Sequence, residues 1–321
     1  MQVARMIDPS TATGLPMQRI YPYRIPLAGL LMAVLIATIA SQQTPLLARL
    51  WYGVQQHWHA DERREVSVWL PDYHVDIEAK PVPGHADLSA LTYDPSRGTL
   101  ASLTNKSSHF IELSLDGEVL RQIPMQGFDD PEAIEYIRPG VFVVAEEGRQ
   151  RLVQIHVDDI TRVIDANDPR NQTRLSLELA AFDNRGFEGL AYDSRHKRLY
   201  VAKEKDPVQI YEVDGFADPE PGAPANITIR SNVLRDRGLF VDDLSSLHFS
   251  ASTNHLLALS DESRLVIELD SEGKPLSTLP LDAGRQGLTK SVPQAEGLAM
   301  DDQGTLYIVS EPNLFYRFKR N

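Results

Sequence analysis

The sequence predicts an all-β protein, a five-bladed β-propeller preceded by one N-terminal transmembrane helix. Three observations support this prediction. One motif recurs at intervals of about fifty residues, apolar and polar residues alternate within each copy, and a long uncharged segment lies near the N-terminus. Four-stranded antiparallel units that repeat at roughly 40 to 50 residues are typical of propeller blades.

Five copies of the motif can be aligned, each followed by a turn and an apolar strand. They are LSALTYDPSRGTLASLTN from Leu88, PEAIEYIRPGVFVVAEE from Pro131, FEGLAYDSRHKRLYVAKE from Phe187, LSSLHFSASTNHLLALSDE from Leu244 and AEGLAMDDQGTLYIVSE from Ala295. The residue at one aligned position, which we call the anchor, is Ser89, Glu132, Glu188, Ser245 or Glu296. Successive anchors are 43, 56, 57 and 51 residues apart, which indicates one repeating unit.

Within each copy, apolar residues recur at every second position, as half-buried strands require. In the first copy the predicted strands are approximately 88–93, 99–104, 109–115 and 118–125. Residues 94–98 and Asp116-Gly117 supply the turn chemistry between them. Four strands per copy are therefore expected.

The last copy is too short to form a complete blade. Only 25 residues follow Glu296, enough for three strands that end in LFYRFKR (314–320). Because a propeller protects its strand edges by closing into a ring, the missing outer strand should come from the other end of the chain. The alternating stretch YHVDIEAKPV (73–82) is predicted to close the last blade, which gives five blades.

A six-bladed ring is the alternative. Its extra blade would lie in residues 161–185 or 214–240, but neither segment carries the anchor motif. The five-bladed prediction assigns both segments to long outer strands and surface loops.

An uncharged run of 24 residues between Arg24 and Arg49 predicts a membrane anchor, since a spanning helix needs about 17 to 25 residues. Arg5, Arg19 and Arg24 precede the run against a single acidic residue, which favours a cytoplasmic N-terminus. The expected boundaries are a cytoplasmic tail 1–24, a transmembrane segment 25–47, a juxtamembrane linker 48–64 and a propeller 65–321. A signal peptide cleaved before Ser41 is the alternative.

Charge and composition exclude several classes of function. The formal net charge is −13, from 32 basic and 45 acidic residues. A nucleic-acid-binding surface needs basic residues to replace the counterions of the phosphates, so we expect no nucleic-acid partner and favour cations. The chain has no cysteine, which excludes disulfides, thiolate metal sites and a cysteine nucleophile.

The anchors are expected to gather at one mouth of the ring. Since neighbouring strands of a blade are antiparallel, the start of the first strand and the end of the second meet at the same mouth. Three sets of aligned positions fall there: Ser89, Glu132, Glu188, Ser245 and Glu296; Asn105, Glu147, Glu204, Glu262 and Glu311; and Asp87, Asp130, Gly186, Asp243 and Gln294. One mouth therefore collects as many as ten carboxylates.

Carboxylates gathered this closely repel one another unless a cation lies among them. Calcium takes about six to eight oxygen ligands with tolerant geometry, whereas zinc prefers histidine or cysteine, and neither recurs in the repeat. The sequence therefore predicts calcium at the mouth. The candidate ligands are Glu132, Glu188 and Glu296, which lead, and Glu147, Glu204, Glu262, Glu311, Asp130 and Asp243. The alternative is a structural role, in which these residues bond backbone amides of neighbouring blades.

Several stretches also carry a family resemblance: LTNK (103–106), EAIEYI (132–137), AEEGRQRL (145–152), FEGLAYD (187–193), VAKEKDP (201–207), LSDESR (259–264) and PQAEGLAMDDQGTLYIVSEPNLFYRF (293–318). Together they resemble the SdiA-regulated family of bacterial envelope proteins over roughly residues 85 to 320. The resemblance implies an N-terminal membrane anchor, an extracytoplasmic propeller distantly similar to NHL-repeat proteins, and a calcium site. It implies no particular reaction.

Two functions from different classes are compatible with these features. The leading hypothesis is a binding module: a calcium-binding periplasmic propeller, anchored in the inner membrane by a single helix, that presents its loops to an unknown envelope ligand or protein partner. The alternative is a calcium-dependent hydrolase of a lactone or ester at the channel mouth, where the metal polarises a carbonyl. A histidine base for this reaction requires His248 or His109 to face the mouth. A third possibility is that the acidic mouth binds cationic peptides or polyamines without metal.

Overall fold

The computed structural model describes residues 60–171, 173–177, 186–219 and 226–320, with the single positions Gly29, Met32 and Tyr52. The chain divides into two compact units, Met1–Ala48 and Arg49–Asn321, and every strand given below belongs to the second. The predicted transmembrane segment 25–47 lies outside the described residues except at Gly29 and Met32. In the part of the chain that the structure describes, no helix combines the length and apolar character needed to cross a membrane.

The described strands form five sheets, each with four antiparallel strands that make up one blade, and the sheet of blade 1 has a fifth, parallel strand. The first strand of the chain, β1 (Tyr73–Pro81), belongs to the last blade. From the channel outward, blade 1 consists of β2 (Leu88–Asp94), β3 (Thr99–Thr104), β4 (His109–Leu113) and β5 (Val119–Gln126), and β9 (Ile164–Asp165) pairs in parallel with β5. Blade 2 consists of β6 (Pro131–Arg138), β7 (Val141–Glu146), β8 (Arg151–His156) and β10 (Arg174–Ser176), and blade 3 consists of β11 (Phe187–Asp193), β12 (Arg198–Lys203), β13 (Gln209–Asp214) and β14 (Thr228–Ser231). Blade 4 consists of β15 (Ser246–Ser250), β16 (His255–Ser260), β17 (Leu265–Leu269) and β18 (Pro275–Pro280), and blade 5 consists of β19 (Ala295–Met300), β20 (Leu306–Ser310), β21 (Leu314–Arg320) and β1.

The five inner strands pack in a ring around a central channel. The strand β2 contacts β6, β6 contacts β11, β11 contacts β15, β15 contacts β19, and β19 contacts β2 again. The last blade is completed by β1, which pairs antiparallel with β21 from Tyr73 opposite Arg320 to Pro81 opposite Leu314. The prediction of a five-bladed propeller is therefore confirmed. Because the described residues contain no sixth sheet, the six-bladed alternative is wrong.

Short helices accompany the blades. The helices are α1 (Ala60–Arg64), α2 (Val233–Gly238) and 3-10 turns at Leu70–Asp72 and Pro169–Asn171. In segment 214–240, helix α2 begins after β14 because Asn232 caps it: the side chain of Asn232 accepts hydrogen bonds from the backbone N–H groups of Leu234 and Arg235. The outer strands predicted in this segment and in 161–185 are much shorter than expected, since β10 has three residues and β14 has four.

A small residue follows each anchor because a neighbouring inner strand lies against it. These residues are Ala90, Ala133, Gly189, Ser246 and Gly297. A Cβ atom on Gly297 would lie 2.7 Å from the backbone carbon of Ala90, and one on Gly189 would lie 3.1 Å from the backbone nitrogen of Leu247. A larger side chain at either glycine would push two blades apart, which explains why the motif reads Glu-Gly-Leu in the third and fifth copies.

Apolar side chains fill the space between adjacent blades. Between blades 1 and 5, for example, Leu91 and Ile111 pack with Tyr307 and Phe315. Each of these four residues is at most 2% exposed. Burial of apolar surface contributes about 25 cal/mol per Å², so the layers between blades hold the ring together and fix the spacing of the inner strands.

A buried carboxylate holds the segment before β1 against blade 4. Glu268 of β17 is fully buried, and its two oxygens accept the backbone N–H groups of Val68 and Trp69 at 2.7 and 3.1 Å. The hydroxyl of Ser277 donates to the same carboxylate at 2.5 Å, and Nδ1 of His255 lies 2.8 Å from it. Because Val68 and Trp69 lead into β1, Glu268 helps to position the strand that closes the ring.

Replacing Glu268 by alanine should lower the free energy of unfolding by about 3 kcal/mol, because two backbone N–H groups lose their buried acceptors. Urea unfolding of the full chain measures this loss as a lower midpoint. The matched control is Glu118→Ala. Glu118 is a 64% exposed glutamate paired with Lys80, and its loss should change stability by less than about 0.5 kcal/mol. Equal midpoints for the two variants would show that Glu268 does not hold the closing strand.

Candidate functional site

The strand ladders bring the anchor regions to one mouth of the channel. In the ladder, the first residue of an inner strand pairs with the last residue of the second strand, as in Leu88 with Thr104, Pro131 with Glu146, Phe187 with Lys203 and Ala295 with Ser310. The residues beside these pairs therefore share a mouth. We call the nine predicted ligands there the acidic mouth: Asp130, Glu132, Glu147, Glu188, Glu204, Asp243, Glu262, Glu296 and Glu311.

The members of the acidic mouth differ in exposure. Six are half-buried: Glu132, Glu147, Glu188, Glu204, Glu296 and Glu311. Asp243 is buried, whereas Asp130 and Glu262 are exposed. Charges at the buried and half-buried positions are screened less by water than those of Asp130 and Glu262.

Asp130, Glu132 and Glu147 form a close group at this mouth. One carboxylate oxygen of each lies within 4.8 Å of one oxygen of each of the others. The backbone carbonyl of Asp130, rather than its carboxylate, accepts the N–H of Glu147 at 2.9 Å. Burial raises the pKa of Glu132, and the charges of Asp130 and Glu147 raise it further. A hydrogen bond of 2.9 Å from the side-chain amide of Asn105 lowers the pKa and so offsets part of this increase. When its members are ionised, the group therefore holds more negative charge than its surroundings compensate.

Some carboxylates at this mouth fasten one blade to the next. Glu147 accepts the backbone N–H of Gly186 at 3.0 Å, which joins blade 2 to blade 3. Asp261 accepts the N–H of Ala295 at 3.0 Å, which joins blade 4 to blade 5. Part of the mouth thus has the structural role that was the alternative to metal binding.

Three further members of the acidic mouth have partners within the protein, in addition to Glu132 and Glu147. Nζ of Lys205 lies 2.6 Å from Glu204 and 2.8 Å from Glu262, so one lysine links two blades and offsets both charges. Asp243 accepts the N–H of Glu262 at 3.2 Å and the hydroxyl of Ser260. These contacts leave the excess of negative charge elsewhere in the mouth.

Glu188 is where that excess is greatest. Burial raises its pKa, and the charges of Glu204, Glu296, Glu132 and Glu147 raise it further. Among the described residues, none donates a hydrogen bond to this carboxyl. A carboxyl group in this position is stabilised either by a proton or by a cation that several of the glutamates share.

Glu296 extends the same cluster into blade 5. Burial raises its pKa to about 8, and the charges of Asp261, Glu311 and Asp243 act in the same direction. The sequence prediction selected Glu262 and omitted Asp261, although Asp261 influences Glu296 and Glu262 is exposed. The adjacent pair Asp261-Glu262 is visible in the sequence, but the turn conformation decides which of the two faces inward.

The donor set of the acidic mouth fits a hard divalent cation. Its members all offer carboxylate oxygens, and none offers nitrogen or sulfur, which zinc prefers. Calcium–oxygen distances are about 2.3 to 2.6 Å, so oxygens up to about 5 Å apart can share one ion. The spacing within the group of Asp130, Glu132 and Glu147 meets this condition.

The sequence matches the protein family described as SdiA-regulated over residues 65–319. The matched region includes all residues of the acidic mouth and every strand of the blades except the last residue of β21. This chain belongs to the SdiA-regulated family. Membership confirms the resemblance seen in the sequence motifs, and the five-bladed ring is the fold of this SdiA-regulated protein.

Several solved structures match this chain at low sequence identity. Glutaminyl cyclase from Myxococcus xanthus is 14% identical with a TM-score of 0.51, over 77% of this chain and 95% of the cyclase. A nidogen/laminin complex gives 12% identity and a TM-score of 0.45, over 74% of this chain and 85% of the matched chain. Streptogramin B lyase gives 9% identity and a TM-score of 0.41, over 79% of this chain and 100% of the lyase chain. At 14% identity, the similarity to the cyclase shows a shared fold alone.

Without metal, the stability of the protein should fall as the pH rises. The pKa values of Glu132, Glu188 and Glu296 lie above the ordinary 4.5 of a glutamate, so the folded protein holds protons that the unfolded chain releases. This contribution is fully present below about pH 4.5 and is lost as the pH rises through the folded values, which for Glu296 is about 8. The midpoints of urea unfolding, measured in the presence of chelator at about pH 5.5, 7 and 8.5, give the slope of stability against pH.

Glu188→Gln should flatten this pH dependence, because glutamine cannot ionise. Glu272→Gln is the matched control, since Glu272 is an exposed turn residue, and it should keep the slope of the unmodified protein. If Glu188→Gln keeps the full slope as well, burial of that carboxyl does not determine the pH dependence.

Proposed function

We propose that this SdiA-regulated protein is a calcium-binding propeller that acts as a ligand- or partner-binding module of the bacterial envelope. Glu188 supports the metal site most directly. It is a half-buried carboxyl surrounded by four other glutamates, and no described residue donates a hydrogen bond to it. A divalent cation would offset this repulsion and favour the ionised form of the whole cluster.

The proposed ligands are Glu132, Glu188 and Glu296, assisted by Asp130 and Glu147. Three of these five already have oxygens close enough to share an ion. The charge of Glu188 interacts with Glu132 on one side and Glu296 on the other, so the three anchors belong to one electrostatic cluster. Glu204 and Glu262 are less suited, because Lys205 already pairs with them.

Calcium should raise the thermal midpoint of the full chain relative to chelator. At calcium concentrations about 100-fold above the dissociation constant, the gain is about 2.7 kcal/mol, or about 5 to 10 °C for a domain of this size. Glu132→Gln, Glu188→Gln and Glu296→Gln should each reduce the shift, because each removes one charged ligand. The scan is repeated with magnesium, which should give a smaller shift because it requires stricter geometry.

Glu272→Gln is again the control and should show the calcium shift of the unmodified chain. The assignment fails if calcium gives no shift, or if all three anchor variants keep the full shift. In either case the half-buried glutamates would be stabilised by protons and by contacts between blades.

A lactone or ester hydrolase has less support. A histidine base is not supplied by His248, which lines a cavity at the other end of the channel. His109 pairs with Thr104 at the mouth end of blade 1, but it begins β4, the third strand, and so lies outside the two strands that line the channel. A panel of lactones and esters assayed with calcium distinguishes the two functions, since the binding module predicts no turnover and the hydrolase requires it.

We also propose that residues 25–47 hold the protein in the inner membrane as a single helix, with the N-terminus in the cytoplasm and the propeller in the periplasm. The uncharged run between Arg24 and Arg49 supports an anchor of sufficient length. The basic residues before the run support this orientation.

Fractionation of bacterial cells that express the full chain tests this location. The anchored protein should remain in the membrane pellet after carbonate washing, at full length, and externally added protease should digest the propeller only after the outer membrane is opened. Introducing three lysines into residues 30–36 should release the protein from the pellet, whereas three lysines in the linker 48–64 should not. A shortened, soluble periplasmic product would contradict the anchor and support the cleaved signal peptide.

A further inference from the structure

A second candidate site lies at the end of the channel opposite the acidic mouth. A cavity of about 320 Å³ opens where the inner strands finish. Four residues of a strand span about 13 Å, which separates the cavity from the anchors along each inner strand. Its volume is within the range of about 300 to 1,000 Å³ that small-molecule pockets occupy.

The residue four positions after each anchor lines this cavity. The five residues are Tyr93, Tyr136, Tyr192, Phe249 and Met300. Four of the five blades therefore place an aromatic ring at the same level of the channel, and the fifth places a polarisable thioether. The faces of aromatic rings carry partial negative charge and attract cations within about 6 Å. Tyr136 also packs against Phe142 and Phe249 against Tyr200, so the parts of these rings that are not used between blades line the cavity.

Acidic groups line the same cavity. Glu135 of β6 and the adjacent pair Asp301 and Asp302 are among the lining residues, and the described lining residues include no lysine or arginine. The carboxylate of Asp301 accepts hydrogen bonds from the backbone of its own turn and from the hydroxyl of Tyr307, so Glu135 is the acidic residue on which the site depends. His248 also lines the cavity, and burial lowers its pKa to about 4, so it is neutral at physiological pH. No positive side chain in this lining opposes the entry of a cation.

Glu135 lies at a junction of three blades. One of its oxygens accepts the hydroxyl of Thr92 in blade 1 at 2.9 Å, and the other accepts the backbone N–H of Tyr192 in blade 3 at 3.2 Å. Burial raises the pKa of Glu135 to about 8. Neither of its two hydrogen-bond donors is charged, so this carboxyl group faces the cavity region with its charge uncompensated whenever it is ionised.

We propose that this cavity binds a small organic ammonium ion, with the positive group among the aromatic rings and opposite Glu135. Aromatic faces and a single buried carboxyl suit an organic cation, whose weakly hydrated charge can be surrounded by rings. A hard metal ion instead needs about six oxygen ligands, which the acidic mouth supplies and this cavity does not. The two ends of the channel are therefore suited to different cations.

Choline and 3,3-dimethylbutan-1-ol test the proposal, because the alcohol has the same shape with carbon in place of the charged nitrogen. Calorimetric titration of the full chain is carried out at about pH 8.5, where Glu135 is largely ionised. Choline should bind saturably, and the neutral alcohol should bind at least tenfold more weakly.

Two variants of the cavity and one of the acidic mouth locate the site. Glu135→Gln should weaken choline binding at least tenfold and leave binding of the alcohol unchanged. Tyr93→Leu, which keeps apolar volume at a half-exposed position, should weaken choline several-fold and provides a test if Glu135→Gln does not fold. Glu188→Gln, which removes a charge from the acidic mouth, is titrated alongside, and Glu272→Gln is the control that should bind choline as the unmodified chain does.

The proposal is overturned if choline does not bind, or if choline and the neutral alcohol bind equally. It is also overturned if Glu188→Gln, rather than Glu135→Gln or Tyr93→Leu, removes choline binding, because the cation would then occupy the acidic mouth. Retention of full choline affinity by both cavity variants would likewise exclude this cavity.

Discussion

The pairing of β1 with β21 is the contact on which the rest of the structure depends. It joins a segment from before the first motif to the last strand of the chain and completes the fifth blade. Glu268 supports the pairing by holding Val68 and Trp69 just upstream. Once blade 5 is complete, β19 can pack against β2 and close the ring of inner strands. Both ends of the channel exist only because this closure makes the five inner strands converge.

Convergence has an electrostatic consequence at the acidic mouth. Each blade contributes polar or acidic residues whose charges would not repel one another if each residue were solvated separately. The ring brings several of these residues together. Some are used as fasteners, such as Glu147 on Gly186 and Asp261 on Ala295. Glu188 has no such contact with a described residue, and its raised pKa reflects burial and four neighbouring glutamates. We therefore regard the cluster as a site that costs stability without a ligand, as functional sites often do.

The sequence was sufficient to predict five blades, because the anchor motif and its small following residue reflect close packing of inner strands. It also placed the acidic residues at one mouth, since antiparallel pairing determines which strand ends meet. The lengths of the outer strands β10 and β14 were not predictable, because each bonds along one edge only and β14 ends where the cap Asn232 begins a helix. The conformation of the turn determines whether Asp261 or Glu262 faces inward, and the angle between blades determines the contacts of Glu135 with two other blades. The periodicity of the sequence encodes neither of these.

The central claim is that the glutamate anchors share a calcium ion. The most direct measurement is diffraction from crystals of the protein grown with calcium, recorded at a long wavelength where calcium scatters anomalously. A shared calcium ion should give an anomalous peak about 2.3 to 2.6 Å from carboxylate oxygens of Glu132 and Glu188. An anomalous map with no peak at the acidic mouth, in crystals that contain ordered glutamate side chains, would contradict it.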